Sequence, residues 1–216
     1  YPAGSSIWAS LHLWVADTPA KSTWVGLQTY LDLFTLDPRS RKSLVNTFVY
    51  VLTKTAIVIP AGLLLALLFE KLWRGTRAYI FAVFLPALCS ATAVGILFTY
   101  LFQPSFGLFN AILKAVGLPV QPFLTDPNQA IFCVIATDAW QYVGFTTLIF
   151  YTGLMNIPYH FVEAARVDGA RAWRTFFSIK LPIMGHTLAF LVVYTVINAF
   201  QFFDFVFIMT QSGGGT

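Results

Sequence analysis

Apolar residues run along this chain in four long blocks with short polar segments between them. Ser43 to Phe69 holds one charge, Lys54, and Ala78 to Gln103 holds none. Ile131 to Asn156 holds only Asp138, and Ile183 to Met209 only His186 and Asp204. Crossing a bilayer core of about 30 Å takes about 20 residues of helix at about 1.5 Å each, so every block is long enough. Hydrocarbon offers backbone groups no partner, so each segment must bond internally, which predicts helices. The alternation that a membrane barrel requires is absent. The pattern predicts an all-α fold, a polytopic transmembrane helix bundle.

Two shorter segments have their own logic. Ile7 to Val15 is apolar but too short to cross; it reads as the exit end of a span or as an interfacial stretch carrying Trp8 and Trp14. Between Gln103 and Ala130, Gln103-Pro104-Ser105-Phe106-Gly107 reads as a turn. Leu108, Ile112 and Val116 then recur at i, i+4 and i+8, predicting an amphipathic interfacial helix. It stops at Gly117, with Pro119 beyond. This segment either closes the bundle or meets a partner.

Composition agrees: 57% of the 216 residues are hydrophobic and 10% charged, whereas a soluble domain carries roughly 25% charged residues. Cys89 and Cys133 lie within apolar runs, which argues against a disulfide framework. Lys71, Arg74, Arg77, Arg166, Arg171, Arg174 and Lys180 concentrate in the short loops of one side, predicted to be cytoplasmic. Lys21, Arg39, Arg41, Lys42 and Lys114 are spread over longer segments opposite, although the Arg39–Lys42 cluster pulls the other way. The start at Tyr1 and the polar tail Gln211–Thr216 lead us to expect the middle of a longer protein.

The segment between the last two blocks is polar, charged and broken by glycine. Asn156-Ile157-Pro158 is expected to stop one helix and start another, with Asn as cap. Phe161, Ala164 and Ala165 share a face, and Glu163 and Arg166 form an i,i+3 charge pair. Gly169 tolerates the left-handed conformation that ends a helix. A second short helix then carries Trp173, Phe176 and Phe177 on one side, with Arg171, Arg174 and Lys180 on the other, before Leu181-Pro182. The segment is either a hairpin anchored at the headgroups or a docking element. Small residues at 164, 165, 169 and 170 favour docking, because they let another surface approach closely.

The run Glu163-Ala164-Ala165-x-x-Asp168-Gly169-Ala170, followed by Phe176, Ile179 and Pro182, resembles the EAA signature of permeases of binding-protein-dependent ABC importers, which have the MetI-like fold. Asn46-Thr47, Leu85-Pro86, Phe106-Gly107-Leu108-Phe109-Asn110, Gly153-Leu154-x-x-Ile157-Pro158 and Phe203-Asp204 with Thr210 and Gly213-Gly214 resemble the carbohydrate-uptake branch. That branch includes the maltose and glycerol-3-phosphate systems. The chain departs from the pattern at Gly215, where Pro usually follows the paired glycines. The resemblance implies one permease domain over 1–216, lacking its first and last spans, with a coupling loop at 157–182. It implies that Glu163, Ala164, Ala165, Asp168, Gly169, Ala170 and Pro182 seat in a groove of a cytoplasmic ATPase subunit. Glu163 would meet a basic residue there. The implied partners are a second homologous permease, two ATP-binding subunits that hold ATP and Mg, an extracytoplasmic solute-binding protein and membrane lipid. No nucleic acid is expected. The implied location is the inner membrane of a bacterium or archaeon.

Charges inside spans are costly and therefore mark functional candidates. Asp138 is expected about two turns into its helix from the outer side, sharing a face with Gln141, Tyr142 and Phe145. Asp204 follows Gln201 and Phe200 by three and four residues. In maltose-type relatives the sugar is contacted from the helices before and after the EAA loop. The resemblance therefore implies a substrate pathway of Asp138, Gln141, Tyr142, Phe145, Phe200, Gln201 and Asp204. The alternative is that these residues only knit helices together. Lys54 is expected to snorkel outward or to pair with another helix. His160 and His186 lack ligand-spaced neighbours, so no metal is expected. Without a Gly-x-x-x-x-Gly-Lys loop or a nucleophile–base arrangement, the chain reads as a transport subunit with no ATPase or other catalytic site of its own. The expected cargo is a sugar or polyol, with glycerol-3-phosphate or another solute as the alternative. An ion-driven secondary transporter using Asp138 and Asp204 is the rival class.

Overall fold

A computed structural model of the chain describes residues 2–13, 23–28, 30–31, 38–72, 75–201 and 203–211. Trp14, Val15, Lys21, Arg74, the side chain of Arg39 and the Gly213–Thr216 tail lie outside the described residues. Contacts divide the chain into two units, Tyr1–Val49 and Tyr50–Thr216. In the first, α1 (Pro2–Ser10) leads into β1 (His12–Leu13), which pairs antiparallel with β2 (Thr23–Trp24). Trp8 stacks on His12 with ring centroids 4.0 Å apart, and the Tyr30 hydroxyl donates to Ser10 Oγ.

Helix α2 (Pro38–Glu70) contains the first block. Its stretch Ser40–Glu70 is the one described helix long and apolar enough to cross a membrane by itself; two further candidate spans are bent pairs. The second block is such a pair. Helix α3 (Thr76–Phe84) runs into a 3₁₀ turn at Leu85–Leu88, and α4 (Ala91–Leu101) leaves at 94°. Pro86 lacks an N–H to continue the helix, and Ser90, in extended conformation, accepts from the Ala93 N–H to start the next one.

After α5 (Leu108–Ala115), the third block becomes α6 (Pro127–Met155), capped by the Asp126 carboxylate on the Asn128 N–H. It buries Thr137, Asp138, Gln141, Thr146 and Thr147. The Thr137 and Thr147 hydroxyls are satisfied by the carbonyls of Cys133 and Val143. Gly144 marks where α3 crosses α6, since a Cβ there would lie 1.9 Å from the Val83 carbonyl oxygen. The fourth block is also broken. Helices α7 (Tyr159–Val167) and α8 (Ala172–Ile183) form the connecting elbow, with a π turn at Phe176–Lys180. Helix α9 (Gly185–Phe200) follows at 71° to α8, and α10 (Phe203–Gln211) begins after a turn at Gln201.

Two apolar clusters fill the second unit. One joins Tyr50, Val51, Phe98, Val134, Ile135, Ala199 and Phe205. The other joins Ile59, Ala66, Phe150, Leu154 and Leu191. On both α2 and α6 the buried charged residue falls between the two clusters: Lys54 between Val51 and Ile59, Asp138 between Ile135 and Phe150. At one end, Phe102 packs on Phe109 and Phe123, and buried Asn110 bonds both backbone groups of Gln121 at 2.9 Å. The Leu108, Ile112 and Val116 stripe of α5 faces outward, each residue at least half exposed. An outward apolar stripe is expected where the solvent is lipid rather than water.

Candidate functional site

The α2–α6 packing brings Lys54, the one charge of the first apolar block, against Asp138, the one charge of the third. Lys54 Nζ lies 2.6 Å from Asp138 Oδ2, with both side chains 2% exposed. The Tyr50 hydroxyl donates to the same oxygen, and the ammonium sits 4.6 Å from the centre of the Tyr142 ring. A charge left alone at this depth would cost several kcal/mol, so pairing decides where Lys54 points. It does not snorkel. Asp138 Oδ1 is buried without a hydrogen-bond partner.

A cavity of about 150 Å³ adjoins the pair, lined by Lys54, Asp138, Tyr142, Asn198, Gln201 and Asp204 among others. Asp138 and Lys54 form its buried wall, whereas Gln201 and Asp204 are exposed at its other side. The break between α9 and α10 produces this arrangement. It puts Gln201 in a turn and Asp204 in the first turn of the next helix, so both reach one space. Asp138 stands eleven residues after Pro127, or roughly 16 Å along the axis. That is about three turns rather than two, because α6 starts at Pro127, ahead of the apolar block.

Of the seven pathway residues, Asp138, Tyr142, Gln201 and Asp204 line this cavity. The other three are placed elsewhere. Gln141 Nε2 donates to the Cys89 carbonyl at 2.7 Å, satisfying a backbone acceptor freed by the bend between α3 and α4. Phe145 packs on Tyr194 at 4.9 Å between centroids, and Phe200 is exposed. Lys54 and Asn198 join the lining, and Tyr50 supports it. The signal for Lys54 was available: one cation and one anion, each alone in its apolar block, are natural partners.

The elbow is built from the 156–182 segment. Asn156 ends α6, and Pro158 rather than Asn precedes α7, with no side-chain cap. Val162 and Ala165 are the buried face of α7; Phe161, Glu163 and Ala164 are exposed. Arg166 donates to the Tyr159 hydroxyl at 3.3 Å. Gly169 takes φ 73°, its N–H bonding Arg166 O while the Ala170 N–H bonds Ala165 O, a left-handed helix stop. Asp168, Gly169 and Pro182 are exposed and Ala170 is half-buried. Lys180 pairs with Glu70, tying the elbow to the end of α2 and placing both basic loops at one end of the bundle. Among the described residues no group of three His, Cys, Asp or Glu side chains is arranged to hold a metal.

Residues 33–216 match the family described as the binding-protein-dependent transport system inner membrane component. The chain is 34% identical over 218 residues to the probable ABC transporter permease protein YurN of Bacillus subtilis (strain 168), covering 99% of this chain and 74% of that one. It is 33% identical over 195 residues to the sn-glycerol-3-phosphate transport system permease protein UgpA of Brucella abortus biovar 1 (strain 9-941), covering 90% and 66%. The arabinooligosaccharides transport system permease protein AraP of Bacillus subtilis (strain 168) is 30% identical over 196 residues, covering 90% and 62%. A crystal structure of a bacterial ABC transporter involved in import of the acidic polysaccharide alginate shares the fold. It superposes with a TM-score of 0.82 at 24% identity, covering 99% of this chain and 74% of that one.

Proposed function

This chain belongs to the family of binding-protein-dependent transport system inner membrane components, and we propose that it carries a neutral sugar or polyol across the membrane. It is the permease subunit of an ABC importer. The observation that carries the substrate reading is the charge balance of the cavity between α2, α6 and the α9–α10 break. Among the described residues its lining holds one cation, Lys54, and Asp138 already pairs with it. Asp204 adds a second carboxylate and leaves the lining net negative. Such a wall repels a phosphate and accepts hydroxyl protons. Asn198 and Gln201 add amides for bidentate bonds, and Tyr142 offers an aromatic face.

A volume of about 150 Å³ is below the roughly 300–1,000 Å³ of complete ligand sites. This supports a half-site that a second, homologous permease completes. In our reading residues 1–216 act as one permease domain, and the elbow at 157–182 couples it to two ATP-binding subunits. Glu163, Ala164, Ala165, Asp168, Gly169, Ala170 and Pro182 form the coupling set. Partner subunits hold ATP and Mg, and this chain has no hydrolytic site. ATP closes the motor pair, the elbow moves with it, and the bundle opens outward to take solute from an extracytoplasmic binding protein. Hydrolysis returns the bundle inward.

The relatives named for sn-glycerol-3-phosphate and for alginate favour an anionic cargo as the second reading. Uptake of labelled neutral saccharides, sugar acids and glycerol phosphate into vesicles holding the full transporter and its binding protein separates the two. We expect a neutral saccharide to be taken up and its polyol analogues to compete. Uptake restricted to anionic solutes overturns the neutral reading.

A further inference from the structure

Where α2 ends, a cavity of about 660 Å³ opens between that helix and the elbow. Its walls are of two kinds. Leu67, Val162 and Phe177 are apolar, and Lys71 and Arg166 are basic. The acidic group in the lining, Glu70, is held by Lys180, which leaves the groove net positive. A second cavity of about 570 Å³ shares Trp173 with the first and adds Arg171 and Arg174.

Depth limits what can enter. Lys71 lies two residues beyond the apolar block Ser43–Phe69, at the polar edge where a span gives way to headgroups. Trp173 and Phe177 are exposed beside it, in the manner of aromatics at headgroup level. A ligand filling this space presents an anion at the membrane surface and a long apolar chain beneath it. An acidic peptide supplies only the first.

We propose that this groove holds an anionic phospholipid of the cytoplasmic leaflet. Its phosphate lies between Lys71 and Arg166, and its acyl chain lies along Leu67, Val162 and Phe177. Basic pockets between helices on this side of a membrane suit such headgroups. A lipid so placed joins the end of α2 to the elbow, so its charge bears on how firmly the elbow is held.

Native mass spectrometry of the assembled transporter, titrated separately with phosphatidylglycerol and phosphatidylcholine of matched chains, tests this. We expect preferential retention of phosphatidylglycerol. Lys71→Gln/Arg166→Gln is expected to lose roughly 30-fold of that preference, about 5-fold for each cation, whereas Lys114→Gln on the outer segment keeps it. If the double variant does not assemble, Lys71→Gln alone carries the test, with about a 5-fold loss expected. Equal retention of both lipids, a preference unchanged by Lys71→Gln, or a motor subunit cross-linked inside the groove overturns the proposal.

Discussion

Lys54 Nζ and Asp138 Oδ2 lie 2.6 Å apart with both side chains 2% exposed, joining α2 to α6 between two apolar clusters. The pair takes two charges out of contact with water, and each is tolerable only because of the other. Removing one partner of such a pair typically costs about 3–5 kcal/mol, whereas replacing both by apolar groups is often near neutral. Asp138→Asn is therefore expected to destabilise the purified transporter by that amount in thermal unfolding. Lys54→Met/Asp138→Leu should recover most of the loss. Because Asp138 also lines the cavity, uptake should stay impaired in the double variant. Full uptake there would reduce the pair to a structural clasp.

Gln141 and Gln201 share a residue type but have different tasks. Gln141→Leu leaves the Cys89 carbonyl without its partner, at a cost of about 1–3 kcal/mol. Its half-saturation for uptake should not change. Gln201→Ala, in the cavity wall, should leave stability intact and raise the half-saturation roughly 2- to 10-fold, the worth of a single hydrogen bond. Measuring melting and uptake on both variants checks the division, and the reverse pattern would refute it.

Gly144 tests the crossing of α3 and α6. A methyl there meets the Val83 carbonyl oxygen at 1.9 Å, a backbone atom that cannot swing away. Gly144→Ala is expected to cost about 1–3 kcal/mol or more, and Gly185→Ala, with open space around it, nearly nothing. Thermal melts of the two variants side by side provide the check.

Much of this architecture was legible in the sequence, because hydrophobic length and the elbow's small and charged residues are local signals. The breaks were not. A hydropathy window averages across the bend between α3 and α4, although Pro86 and Ser90 mark its site. The inward face of α5 was not legible: the interfacial stripe Leu108, Ile112 and Val116 marks the outward side, and the pattern gave no sign that Phe109 and Asn110 pack inward. The Lys54–Asp138 pairing requires knowing which helices touch. Gln141 shares its helix with Asp138 and Tyr142, yet only the bend near Cys89 explains where it turns.

Gly169 separates backbone geometry from contact. Nothing lies within 4 Å of a Cβ there, but φ is +73°. Gly169→Ala should cost only about 1–2 kcal/mol of local strain and leave partial transport. Gly169→Pro cannot adopt that φ and loses the N–H bonded to Arg166 O. It is expected to insert normally into the membrane but to lose ATP-driven uptake. Fractionation with an uptake assay reads both.

The central claim is that the exposed face of α7 seats against a nucleotide-driven subunit. Ala164→Cys, at an exposed position, places a thiol on that face in the assembled transporter. Cysteine-directed cross-linking should capture an ATP-binding subunit, with a yield that changes when ATP is bound and when it is hydrolysed. A thiol that reacts equally well with and without those subunits, and never links to them, would contradict the account.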